Sequence, residues 1–250
     1  MPGRSLLTLD RLVDAIARSR TTVVFTGAGI STASGIPDFR SPSGLGLAHE
    51  EVAHLSVLED HPELFWTYYR SRYENLAACR PNPAHDALAQ LEAAGILQTV
   101  VTQNVDGFHQ LAGSREVIEL HGTFARIPCT RCEHVSSRDE LSERFDAAGV
   151  ARCPQCAGVL RPGVVLFGER LPAGAIERCY ELAYDADLLI CIGSSLRVRP
   201  ASNMPVMARR GNTTVAIINQ GRTGFGTADI RIGADASTVL PAVAKRVLAS

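Results

Sequence analysis

The chain has 250 residues, 46% of them hydrophobic, and a formal net charge of -1 at pH 7. That length supports a sizeable core in one large domain, or in a large domain with a small insert. The balanced charge without a basic tract argues against a nucleic-acid partner. Met1–Asp10 lacks the apolar run of a signal peptide, and no segment approaches the ~20 apolar residues that span a bilayer, so a soluble cytoplasmic protein without a membrane partner is expected; a monomer is the separate expectation for its assembly.

In chain order, Leu6–Arg18 has the spacing of an amphipathic helix. Thr21–Phe25 is a short β-branched and aromatic run that reads as a buried strand. It ends in Gly27-Ala28-Gly29, and Pro37–Gly46 is loop-like. His54–Leu76 reads as helical, with Pro62 near a helix start. Pro81-Asn82-Pro83 breaks the pattern, and His85–Ala94 forms a further amphipathic helix closed by Gly95. Leu97–Thr102 and Val117–Leu120 read as strands. From Cys129 to Cys156 the chain is polar, with a cysteine pair at each end. Val164–Phe167 resumes a strand, Ala175–Tyr184 a helix, Leu188–Ile192 and Thr214–Ile218 strands, and Pro241–Leu248 a closing helix.

Strands alternating with helices predict a Rossmann-like α/β fold, a mostly parallel sheet with helices on both faces. Two stretches look like insertions into it. The expected division assigns residues 1–40, 81–125 and 160–250 to the sheet domain. Residues 41–80 and 126–159 form a smaller helical and metal-binding lobe.

The loop Gly27–Ser31 follows a predicted strand. Its small residues let a backbone approach a pyrophosphate, and its amides supply donors. A tight strand-to-helix turn without a ligand fits it equally well. The spacing fails the dehydrogenase fingerprint, because Gly35 comes six residues after Gly29 rather than three. Hydride transfer is therefore disfavoured, although a dinucleotide is not.

The seven cysteines argue against a pure disulfide framework. Cys129-Thr-Arg-Cys132 and Cys153-Pro-Gln-Cys156 match the two-pair zinc pattern. Four thiolates close a tetrahedral shell with no open position, which makes the site structural. Two disulfides or redox pairs are the alternative. Cys79, Cys179 and Cys191 are expected to be buried, unreactive thiols.

Taken together the motifs are specific. The chain reads GAGISTASGIPDFR at 27–40, TQNVDGFH at 102–109 and ELHG at 119–122. Two CxxC pairs follow, then VVLFGE at 164–169, GSS at 193–195 and NQG at 219–221. In this order, over nearly the whole chain, the set resembles the sirtuin family. The resemblance implies a protein-lysine deacetylase that consumes NAD and carries one structural Zn2+. Gly27, Ala28, Gly29 and Thr32 would line the phosphates. Asp38, Phe39 and Arg40 would lie by the nicotinamide ribose, and Gln103, Asn104, Val105 and Asp106 in the nicotinamide pocket. Gly193, Ser194, Ser195, Asn219, Gln220 and Gly221 would hold the adenosine half, with Asp235 and Ala236 as the last contact. Singly, several of these fit blander roles: an Asx-turn at Asn104 and Asp106, a helix cap at Ser194 and Ser195, a surface pair at Asp38 and Arg40.

His121 matches the family's base, and Asn104 belongs with it. In the implied chemistry the acyl oxygen attacks C1′ of the nicotinamide ribose and nicotinamide leaves. A neutral imidazole then takes a ribose hydroxyl proton. Free lysine, nicotinamide and 2′-O-acyl-ADP-ribose result. Phe39, Val105 and Phe167 would exclude water. Val165, Phe167 and Gly168 would border the acyl-lysine channel. Backbone at Gly168-Glu169 and Arg197-Val198 would pair with an acylated-lysine peptide by β-augmentation. Alternation along that edge would put Arg197 and Arg199 on one face, forming a small positive patch.

Two alternatives stand beside deacetylation. Tyr69 and Arg72, at i and i+3 on one helix face, fall where the desuccinylase/demalonylase branch has its acid-acyl clamp. Mono-ADP-ribosyl transfer, or NAD sensing, would use the same fold.

Overall fold

The computed structural model of the chain describes residues 2–38 and 50–249. Its centre is a six-stranded sheet in the order β10-β9-β8-β1-β2-β3, and every neighbouring pair is parallel. The strands are β1 (Thr22–Thr26), β2 (Thr99–Thr102), β3 (Val117–Glu119), β8 (Leu188–Ile192), β9 (Thr214–Ile218) and β10 (Ile230–Ile232). β1 and β8 are buried along their whole length, which is why they read as unbroken apolar runs rather than alternating ones.

Side chains of period 2 divide the sheet's contacts between two faces. Val24, Val100, Ile190 and Ile218 enter one core with helices α1 (Pro2–Arg18), α4 (Pro83–Ala93) and α8 (Ala236–Val247). Phe25, Val101, Leu189 and Ile217 enter the other with α6 (Ala175–Asp185) and α7 (Met204–Arg210). Asn82 caps α4 by accepting from the Ala84 amide at 2.9 Å, and His85 Nδ1 reaches back to the Asn82 amide at 3.2 Å.

A third core lies apart from the sheet and is aromatic. Phe65, Trp66, Tyr69 and Tyr73 on α3 (Pro62–Ala78) pack against Phe124, Ile127, Leu160 and Cys153. Trp66 Nε1 donates to the Leu160 carbonyl at 2.9 Å, tying α3 to the cysteine-bearing segment. The strands here are two or three residues long: β4 (Gly122–Thr123) pairs with β7 (Gly163–Val164), and β5 (Arg126–Pro128) with β6 (Val135–Ser137).

Three boundaries depart from expectation. The helix expected over His54–Leu76 is two, α2 (Leu55–Asp60) and α3, because Pro62 suits a first helical position and cannot continue a preceding turn. The strand expected at Val164–Phe167 pairs only at Val164. The Leu166 amide goes to the Glu169 carboxylate instead, and Phe167 makes a single bridge to His54. The closing helix starts at Ala236, capped by the Asp235 carboxylate, with Pro241 inside it. A short helix α5 (Phe108–Leu111) follows β2. Among the described residues no helix is long and apolar enough to cross a membrane.

Candidate active site

The chain leaves β1 toward β2 and β3 on one side, and β8 to β10 lie on the other, so strand order reverses between β1 and β8. Crevices at such a reversal, at the carboxyl ends of the strands, are where α/β sheets take ligands. A cleft of about 1480 Å³ opens there. The glycine loop after β1 and Gly193 after β8 interlock at its floor. Gly29 N–H donates to the Gly193 carbonyl at 2.8 Å. A Cβ on Gly29 would lie 2.7 Å from that oxygen, and one on Gly193 (φ 60°) only 2.2 Å from the Ile30 nitrogen. Glycine is therefore required at both, and the loop continues in short 3-10 turns at Ala28–Ile30 and Thr32–Ser34.

The loop after β2 delivers Gln103, Asn104, Val105 and Asp106 to the cleft. Asp106 is buried and accepts from Ser31 Oγ at 2.7 Å and from the Phe108 amide at 3.0 Å. Burial raises its pKa, while these donors act the other way. Asn104 Nδ2 donates to Ser31 Oγ at 3.1 Å, and the Asn104 amide donates to Thr102 Oγ1 at 3.0 Å. The Asx-turn at Asp106 is thus real and coexists with the pocket. Beyond β3, His121 lines the same cleft, with Nδ1 at 3.0 Å from the Gln103 carbonyl. That bond makes Nδ1 the protonated nitrogen and leaves the lone pair on Nε2. Burial lowers the His121 pKa, so the ring is neutral at pH 7.

After β8, Ser194 Oγ accepts from Gln103 Nε2 at 2.9 Å and from the Leu196 amide at 3.2 Å. After β9, Asn219 Nδ2 donates to the Gly221 carbonyl, and Gln220 reaches the Asp235 carboxylate at 3.1 Å. Gly27, Ala28, Gly29, Thr32, Asp38, Gly193, Ser195, Asn219, Gln220, Gly221, Asp235 and Ala236 all border the cleft. Phe39 and Arg40 lie outside the described residues.

The expected substrate residues also converge here. Val165, Phe167, Gly168, Glu169, Arg197, Val198, Tyr69 and Arg72 line the cleft. Phe167 and Val198 are 41% and 42% exposed, while Tyr69 is 2% exposed and packs on Phe65 at 4.4 Å. The stretch Arg197–Pro200 is not a strand. Leu196 takes a positive φ of 52°, and the Val198 carbonyl accepts from the Ser202 amide at 2.8 Å. The alternation expected for Arg197 and Arg199 therefore does not apply, because the chain turns at Val198.

The four sulfurs of Cys129, Cys132, Cys153 and Cys156 lie within 4.8 Å of one another, and all are free thiols. The 3.5 Å and 3.6 Å separations of two of the pairs suit a tetrahedron of ~2.3 Å Zn–S bonds, whose edges are about 3.8 Å. The Arg131 and Gly158 amides donate to Cys129 and Cys156 sulfur, completing a shell compatible with one structural zinc. Of the other cysteines, Cys179 and Cys191 are buried, which pushes each thiol up to about 12. Cys79 is half-buried and borders the cleft beside Gly35, contrary to expectation, because it ends α3 rather than lying within it.

Sequence reading missed the layer behind the pocket. Ser31 holds both Asp106 and Asn104 and lies 3.4 Å from His85 Nε2. His109 Nε2 lies 2.9 Å from Thr26 Oγ1, which donates to Thr102 Oγ1 at 2.8 Å. Burial lowers His85 to about 4 and His109 to about 3, so both are neutral spacers. His109 ends the TQNVDGFH motif and His85 opens an expected helix, but nothing local marks their partners, which are 83 and 54 residues away.

Comparison with known proteins agrees with this geometry. Residues 27–200 match the Sir2 family. The chain is 42% identical over 236 residues to an NAD-dependent protein deacetylase of Sulfurisphaera tokodaii, covering 94% of each chain. It is 40% identical over 245 residues to an NAD-dependent protein deacylase of Thermococcus kodakarensis, covering 96% of this chain and 95% of that one. A solved Sir2 structure with p53 peptide and NAD+ superposes with a TM-score of 0.89 at 36% identity, covering 97% and 99% of the two chains.

Proposed function

This chain belongs to the Sir2 family and is an NAD-dependent protein deacylase, and we propose that it deacetylates lysine with His121 as general base. The observation that carries this is the clamp of His121 Nδ1 on the Gln103 carbonyl at 3.0 Å. It fixes the tautomer, and the lowered pKa keeps Nε2 unprotonated and ready to accept. NAD supplies the electrophilic ribose carbon and the hydroxyls that receive the acyl group. Asp106, held by Ser31 and the Phe108 amide, orients the nicotinamide amide. Asn104, fixed from both ends, orients the ribose. Gly27, Ala28, Gly29 and Thr32 hold the phosphates, with Asp38 by the ribose. Gly193, Ser194, Ser195, Asn219, Gln220, Gly221, Asp235 and Ala236 hold the adenosine half. Val105 and Phe167 exclude water from the reacting atoms. The acylated-lysine peptide lies between Gly168-Glu169 and Arg197-Val198, with its lysine passing Val165.

Residues 1–40, 81–125 and 160–250 are taken as the NAD-binding domain, and 41–80 with 126–159 as the lobe. Separate sheet and aromatic cores support two units, with Phe108, Phe124, Leu160, Val164 and Leu166 of the first set of ranges joining the aromatic core. Four cysteines without a disulfide, placed to hold zinc, suit the reducing cytoplasm.

One observation favours a second acyl preference: Arg72 lines the cleft beside Tyr69. An arginine there would pair with the distal carboxylate of a succinyl or malonyl group. A panel of acetyl-, malonyl- and succinyl-peptides, assayed with and without NAD, tests both readings. Acetyl-peptide should be deacylated in step with nicotinamide release, only with NAD. Faster succinyl turnover, lost in Arg72→Ala, would replace deacetylation by the second reading. Nicotinamide release that labels the peptide with ADP-ribose would replace both.

A further inference from the structure

We propose that the mouth of the lysine channel selects peptides with acidic residues flanking the acylated lysine, and that Arg170, Arg197 and Arg199 make the selection. This rests on the reading above that the substrate backbone runs between Gly168-Glu169 and Arg197-Val198. Arg170 directly follows the first of those pairs, and Arg197 and Arg199 bracket Val198 in the second. Both banks therefore carry cations, although the chain as a whole has a net charge of -1. All three arginines line the cleft and are exposed. None has an ion-pair partner among the described residues.

The nearby carboxylate does not cancel them. Glu169 is gripped by Arg161 through both oxygens, at 2.6 and 2.7 Å, and also accepts from the Leu166 amide at 2.8 Å. This bidentate pair is mostly shielded and locks the bank in place. Of the other acidic groups that line the cleft, Asp106 is held by Ser31 and the Phe108 amide and Asp235 by the cap of α8, while Asp38 and Glu50 belong to neither bank. What faces an incoming peptide is a set of unneutralised guanidinium groups on either side of the channel. Residues one or two places from the lysine lie within about 7 Å of it along an extended peptide, inside the reach of an arginine side chain. Because the chain turns at Val198, strand alternation does not put Arg197 and Arg199 in one stripe. The preference should accordingly extend to both sides of the lysine.

Exposed pairs of this kind are worth about 1.5- to 5-fold each. Their strength depends on salt, since the screening length falls from about 30 Å at 0.01 M to under 10 Å above 0.1 M. The test measures anisotropy Kd values for fluorescein-labelled acetyl-lysine peptides that differ only in acidic or basic flanks. It uses wild type and the Arg170→Gln/Arg197→Gln/Arg199→Gln variant, at about 10 mM and about 0.5 M NaCl, with kcat/KM on the same peptides. The wild type should prefer the acidic peptide by roughly three- to tenfold at low salt. That ratio should approach one at high salt and in the triple variant. Charge reversal by Arg197→Glu with Arg199→Glu should favour the basic peptide. Equal affinities in the wild type at low salt overturn the proposal, as does a preference that survives the triple substitution. Preferential binding of acidic peptides without NAD-dependent turnover would leave this selectivity standing and sink the deacylase reading instead.

Discussion

The two sides of the cleft are stabilised by different means. The sheet side is built from strands buried along their length, with apolar cores on both faces, and its hydrogen bonds run down a continuous parallel ladder. The lobe side has paired strands of only two or three residues, an aromatic cluster on α3 and four cysteines within 4.8 Å. A ladder that short cannot hold itself. The sheet side rests on its ladder and two apolar cores, whereas the lobe side rests on an aromatic core and on a four-cysteine cluster suited to a metal.

Removing the metal should separate the two sides most strongly. Structural zinc contributes on the order of 10–16 kcal/mol in small domains, so Cys153→Ser or a strong chelator should unfold the lobe. Trp66 is the single tryptophan and lies wholly inside it. Its emission should shift to the red while the far-ultraviolet signal of the sheet persists. Loss of both signals in one step would show that the two sides fold as one unit. Metal analysis of the wild type should find about one zinc per chain.

His121→Ala probes the sheet side as a carrier of chemistry. Turnover should fall about 10²–10⁴-fold, with melting temperature and NAD affinity nearly unchanged, because the ring's bond to Gln103 lies at the cleft surface rather than in a core. Near wild-type rates would remove His121 as the base.

The smallest effect is a pH dependence confined to the sheet side. Burial lowers His85 to about 4 and His109 to about 3. The unfolded chain, with ordinary values near 6.5, therefore binds protons first as pH falls. Both stabilising contributions are complete above about 6.5 and decline below it, at up to about 1.4 kcal/mol per pH unit for each histidine. Denaturation curves at pH 7 and 5 should show the loss in wild type and a shallower slope in His109→Gln. An unchanged slope in that variant would mean that His109 does not carry its share.

Much of this was legible in the chain. β1, β8 and β9 are continuous apolar runs, and the motifs fall on the strand ends that border the cleft. The cysteine spacing predicted the cluster, because two CxxC pairs about twenty residues apart match the two-pair zinc pattern. What escaped reading depended on partners far along the chain. The lobe strands are too short to show periodicity, and Ser31, Thr26 and His109 act through side chains brought together by β1 and β2. Pro241 resembled a helix start because proline favours the first turn, yet Asp235 supplies the cap six residues earlier. The bend at Val198 was hidden behind a sequence that alternates like a strand.

The bond from Trp66 to Leu160 spans 94 residues, and that span has a consequence during synthesis. At roughly 5–20 residues per second, α3 leaves the ribosome on the order of 5–20 seconds before the carbonyl that receives its indole has been made. Of the residues that share a core with Phe65, Trp66, Tyr69 and Tyr73, Ala53 and Leu58 are already made by then, but Phe124 and Ile127 follow later and Cys153 and Leu160 arrive only near the end of that interval. The nascent chain thus presents a sticky aromatic helix to chaperones and to neighbouring chains until the segment through Leu160 covers it.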